Sequence, residues 1–169
     1  MAELYRTARR PGVKGFTLIE LIAVIAVMGA AILIIFPRLP SVDELLFNSD
    51  CRKLSGLIRY LNETSYSKKK FYRLRFTPGR GTVDVEESGD GYAYIRAGDT
   101  IKGIVMEDTY IEDIVLQGAG TVDEGEVAVV FAPGSGAEPF NLHLERRERK
   151  MTISYNPYSG KVKVTQGYV

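Results

Sequence analysis

Hydrophobic positions divide the chain into three stretches of different period. Residues 16–36, FTLIELIAVIAVMGAAILIIF, are an unbroken apolar run of 21 residues carrying a single charge, Glu20. As a helix the run is roughly 31 Å long, about the thickness of a bilayer hydrocarbon core. From Ser41 the spacing becomes amphipathic, with Val42, Leu45, Leu46, Leu54, Leu57, Ile58 and Leu61 recurring mostly at three- and four-residue steps. Ser41 and Glu44 have capping-box spacing. Two readings stay open: a second helix begins at Ser41, or one long helix runs from 16 to 66. Gly56 weakens the helix locally and is expected to mark a close approach to a sheet.

Beyond residue 66 the period falls to two. Short alternating or β-branched runs occur at 71–76, 81–86, 92–96, 101–106, 111–116, 126–131, 140–145, 151–155 and 161–165. Turn residues separate them, as in Pro78-Gly79, Gly89-Asp90-Gly91, Pro133-Gly134 and Asn156-Pro157. The expected fold class is α+β. A long N-terminal helix, membrane-spanning over 16–36, packs through its second half on a mostly antiparallel β-domain, residues 67–169.

Composition is that of a globular protein, 45% apolar and 25% charged, so disorder and fibrous structure are excluded. The net charge of +1 conceals an asymmetry. Residues 1–15 carry Arg6, Arg9, Arg10 and Lys14 against Glu3, a net of +3; without them 18 basic and 20 acidic residues remain, a net of −2. A mildly acidic body has no overall electrostatic pull on nucleic acid. Cys51 is the only cysteine, which excludes an intramolecular disulfide and a cysteine zinc cluster; a half-buried helix position is expected for it.

The basic flank ahead of the apolar run orients it with residues 1–15 in the cytoplasm and the body across the membrane. A secretory signal would be cut after its apolar stretch at small residues, and residues 37–47, PRLPSVDELLF, offer no such site. The apolar helix therefore stays with the mature protein. A plain anchor does not account for Glu20, because a carboxylate in mid-membrane costs about 2–3 kcal/mol. It needs a partner.

Gly15-Phe16-Thr17-Leu18-Ile19-Glu20-Leu21 resembles the processing site of type IV prepilins and of type II secretion pseudopilins. The resemblance implies removal of a leader, residues 1–15, by a membrane peptidase that cuts between Gly15 and Phe16. It also implies N-methylation of Phe16, and a role for Glu20 in pairing with the freed amine of a neighbouring subunit during filament assembly. Such a pair gains strength where neither group is well solvated. Gly29 and Pro37 fall where pilins commonly carry these residues, and imply helix flexibility; Pro37 alternatively marks only the membrane exit. The segments 51–61, 74–76, 130–136, 153–155 and 159–162 resemble minor pseudopilins of the GspH kind and FimT-like minor pilins. The implied function is that of a type II secretion minor pseudopilin in the bacterial inner membrane, its C-terminal domain periplasmic. The alternative is a FimT-like minor pilin of a type IV pilus, with DNA uptake as a further possibility. Implied partners are the prepilin peptidase/methyltransferase and other pilin-like subunits.

No catalytic, cofactor or metal constellation is expected. There is no Gly-x4-Gly-Lys-Ser/Thr loop, and His143, the only histidine, alternates with Leu142 and Leu144 and is expected on the polar face of a strand. The acids of 84–91 lack EF-hand spacing and read as solvated turn residues. Two basic clusters, Lys68–Lys70 with Arg73 and Arg75, and 146–150, are weighed for DNA, the first because Tyr66, Phe71 and Tyr72 adjoin it. A solvated edge or an acidic neighbouring subunit fits them better.

Overall fold

The structure, a computed structural model, describes residues 15–35, 41–98 and 101–168. The chain divides into two units, Met1–Ser41 and Val42–Val169. In the first, helix α1 spans Leu18–Ile35 and buries none of its residues. It is the one helix among the described residues long and apolar enough to cross a membrane.

The second unit opens with helix α2, Val42–Lys68, directly after Ser41. Asp43 and Glu44 in its first turn and Lys68 in its last complement the helix dipole. Lys69, at φ 54°, ends it in the left-handed conformation. Its buried face is Phe47, Cys51, Leu54, Ile58, Leu61 and Ser65, alternating steps of four and three. This stripe departs from the expected one at the start of the helix: Val42, Leu45 and Leu46 are exposed at 72%, 50% and 46%. The inward face there includes a charge instead, Asp50. Gly56 meets nothing within 4 Å where a side chain would begin, so the expected close approach to a sheet is absent. Cys51 is more deeply buried than expected, with its thiol 3.4 Å from the Met151 sulfur.

All nine expected strand regions carry strands, and they form two antiparallel sheets. One joins β1 (Phe71–Phe76), β2 (Thr82–Ser88), β3 (Ile95–Arg96), β4 (Ile104–Val105) and β7 (Val127–Phe131), in the order β3-β2-β1-β7 with β4 also on β2. The other has the order β10-β9-β8-β5-β6, from β5 (Tyr110–Leu116), β6 (Gly120–Val122), β8 (Phe140–Arg146), β9 (Arg149–Asn156) and β10 (Lys161–Gln166). Only β6 lies outside the expected regions. Strand alternation sorts the side chains: in β1, Tyr72, Leu74 and Phe76 face the core while Arg73 and Arg75 face outward.

The core is shared by α2 and the inner faces of both sheets. At one end Tyr155 packs on Phe131 and Phe140, ring centroids 5.7 and 5.4 Å apart, and its hydroxyl donates to Asn62 of α2 at 2.6 Å. At the other end Arg146, 5% exposed, donates to the Glu107 carbonyl at 2.6 Å and to Thr109 Oγ1 at 3.2 Å, and lies 3.8 Å from Asp50. Thr109 in turn donates to Asp50 at 2.9 Å. Burying an arginine is tolerable only with such a set of partners.

Candidate processing and assembly site

Gly15, Phe16 and Thr17 lie outside the helix, immediately ahead of α1. Nothing comes within 4 Å of the space a Gly15 side chain would occupy, and Phe16 is 84% exposed. The Gly15–Phe16 peptide bond is therefore in non-helical, uncovered chain, the condition a protease needs. Leu18 is the first helical residue because Thr17 caps it. The Thr17 hydroxyl and backbone N–H both donate to Glu20 Oε2 at 2.8 Å, and the Glu20 N–H donates to Thr17 Oγ1 at 3.3 Å. This is a reciprocal capping box. It satisfies two of the N–H groups a helix start leaves unpaired and fixes the Glu20 carboxylate at the helix N-terminus, where the dipole favours an anion. Sequence reasoning sought a partner for Glu20 only in an amine and missed Thr17, although Thr-x-x-Glu at 17–20 is a recognisable signal. Phe16 stands four residues before Glu20 but outside the helix, so helical spacing does not by itself set an amine there beside the carboxylate.

Residues 10–36 match the prokaryotic N-terminal methylation motif. The chain thus begins with a prepilin-type N-terminus. The fold is pilin-like and matches that of a minor pseudopilin, EpsH of the type 2 secretion system of Vibrio cholerae. One EpsH structure superposes with a TM-score of 0.57 at 10% identity, over 72% of this chain and 97% of that one. A second gives 0.56 at 12% identity, over 70% and 93%. No curated protein matches by sequence. Within the prepilin-type segment, Gly29 sits in α1 with open space around it. Pro37 and residues 1–14, most of the expected leader, lie outside the described residues.

The remaining sequence candidates fall elsewhere, and most are engaged within the chain. In the first basic cluster, Lys70 meets Glu87 at 3.3 Å, Arg73 pairs with Glu86, and Arg75 reaches Glu86 and Glu126 at 3.4 and 3.2 Å. Of the adjoining aromatics Tyr72 is buried, and Phe71 is half-buried against Gly91. In the second cluster Arg147 pairs with Asp43, Arg149 with Glu44 at 2.9 Å and Lys150 with Glu112 at 3.0 Å. The acids of 84–91 are likewise engaged, Asp84 by Arg96 at 3.0 Å and Asp90 by the Tyr92 and Ala93 N–H groups and Ser88. Those donors hold the Asp90 carboxyl down at about 2, the Tyr92 N–H most strongly.

His143 is not on a solvated face. It is 7% exposed, its Nδ1 lies 2.6 Å from Asp113 Oδ1, and its ring stacks on Tyr168 at 4.3 Å. Alternation correctly turns it away from Leu142 and Leu144; the C-terminal segment then covers that side of the sheet. Thr152 anchors this segment by donating to the Gly167 carbonyl at 2.7 Å. The imidazole links β5, β8 and the C-terminus.

Proposed function

We propose that this chain is a minor pseudopilin of a type II secretion system, acting by assembly and not by catalysis. A leader, residues 1–15, holds the cytoplasmic side. Prepilin peptidase cuts between Gly15 and Phe16, Phe16 is N-methylated, and residues 16–66 carry the chain into a periplasmic filament whose surface is the β-rich domain, 67–169. The observation that carries this reading is Gly15-Phe16 followed by a capped Glu20 at the head of a spanning helix, ahead of a domain of pseudopilin fold.

Cleavage creates an amine four residues before Glu20. Until then the carboxylate is held by Thr17; afterwards it can also pair with an amine, its own or that of an adjacent subunit. In apolar surroundings an unpaired carboxylate is costly, so the state in which it is paired is favoured. This biases subunits toward the filament. Gly29 and Pro37 supply flexibility to the helix during packing.

Disruption of the gene in its host tests the assignment. The pseudopilin reading predicts loss of protein export with surface pili retained. Loss of pili or of DNA uptake with export intact would instead assign the chain to the FimT-like minor pilins. The internal pairing of most cations in the two basic clusters, Lys70, Arg73 and Arg75 in the first and Arg146, Arg147, Arg149 and Lys150 in the second, speaks against nucleic acid as the partner.

A further inference from the structure

Strand β10 is the outer strand of its sheet and pairs only with β9. Among the described residues no backbone group bonds to its other edge. A groove of about 690 Å³ lies where α2, β9 and β10 meet, lined by Arg59 of α2, Ser154 and Asn156 of β9, and Lys161, Val162 and Lys163 of β10. Arg59, Lys161 and Lys163 are exposed, and among the described residues none of the three has an acidic partner, unlike most cations of the two clusters conspicuous in the sequence.

We propose that this edge docks an extended, acidic segment of another protein subunit by strand addition. Lys161 and Lys163, two positions apart, lie on one face of the strand, about 7 Å from one another along it. Carboxylates at alternate positions of an added strand would stand opposite both. Residues between those carboxylates would turn to the other face, where Val162 and Val164 lie and Val164 is 40% exposed. Arg59 adds a third positive charge from the helix. The free backbone edge supplies the main-chain hydrogen bonds of such a mode, and the cations supply the choice of partner. Nucleic acid fits less well, because no aromatic side chain lines the groove to stack on a base. Lysines also guard free edges against unwanted pairing; that role predicts no acidic ligand.

The inference does not rest on assembly through α1, and its test uses unassembled protein. Full-length chain in nanodiscs of neutral phospholipid is titrated into a fluorescent peptide with an Asp-Thr-Asp-Val-Asp core, and anisotropy is read. Saturable binding is expected. The double substitution Lys161→Glu/Lys163→Glu, and separately Arg59→Glu, should weaken it, the double roughly tenfold or more. Methylating alternate backbone nitrogens of the peptide should abolish binding while leaving its charge unchanged. Circular dichroism confirms that the variants remain folded. Equal binding by the charge-reversed protein or by the methylated peptide would overturn the proposal. So would absence of binding, or tighter binding of a single-stranded oligonucleotide.

Discussion

Thr17 and Glu20 bond to one another in both directions: the Thr17 hydroxyl and N–H donate to the Glu20 carboxylate, and the Glu20 N–H donates to the Thr17 hydroxyl. The carboxylate therefore has two separable roles, capping α1 and carrying a charge. Glu20→Gln keeps a side chain that can complete a capping box but removes the charge. Thr17→Val removes the hydroxyl and keeps the charge, at about 1 kcal/mol of helix-start stability. Quantitative blotting of sheared filaments should find Glu20→Gln strongly depleted and Thr17→Val only mildly so, both inserting normally into the membrane. Equal depletion would make the cap, not the charge, the determinant of assembly.

Cys51 should be inert in the folded protein. Burial, with a smaller contribution from Asp50, raises its thiol from 9.0 to about 12. Because the folded state disfavours the thiolate, this contribution to stability is complete below pH 9 and is lost as pH rises from 9 toward 12. An aromatic disulfide reagent at pH 8 should label Cys51 only after denaturant is added. Rapid labelling of the native protein would contradict the buried position.

Arg146 ties α2 to the second sheet through Asp50, Thr109 and the Glu107 carbonyl. Arg146→Met leaves Asp50 its contacts with Lys53, at 3.3 Å, and Thr109, but strips the Glu107 carbonyl and Thr109 of their buried donor, which costs about 1–3 kcal/mol. Denaturant titration should find a loss of that order. Arg149→Met, whose pair with Glu44 is partly exposed, should cost less than about 1 kcal/mol.

Gly136 should not tolerate a side chain. It sits at φ 71°, and a Cβ would come within 2.7 Å of the Tyr155 hydroxyl and 2.8 Å of Asn62 Oδ1. Gly136→Ala would therefore strain the turn and disturb the bond that joins β9 to α2. We expect a loss of about 1–3 kcal/mol, read from thermal unfolding. Gly56→Ala, in open space on α2, should be neutral or stabilising by up to about 1 kcal/mol.

Much of the fold is written in local pattern. Strand β1 alternates from Phe71 to Phe76 and lies where that alternation ends it. Helix α2 stops at Lys68, where the apolar stripe runs out. Strand β6 escapes because Gly120-Thr121-Val122 is too short to display a period. Position decides what pattern does not. His143 alternates as a surface residue would, yet Tyr168, distant in sequence, covers it. Arg146 reads as part of a solvated basic edge because nothing local announces that Asp50 is near. At the candidate site Gly15, Phe16 and Glu20 stand out through their spacing and the one charge in an apolar run, whereas Arg59 comes beside Lys161 and Lys163 only in the folded chain.

The central claim is that the chain matures at Gly15–Phe16 so that a new amine meets Glu20. Intact-mass and N-terminal peptide mass spectrometry of protein extracted from membranes of cells with active prepilin peptidase tests it most directly. The account predicts a chain beginning at N-methylated Phe16, with Gly15→Asp left uncut. A wild-type chain that still carries Met1 and residues 2–15 in those cells would contradict it.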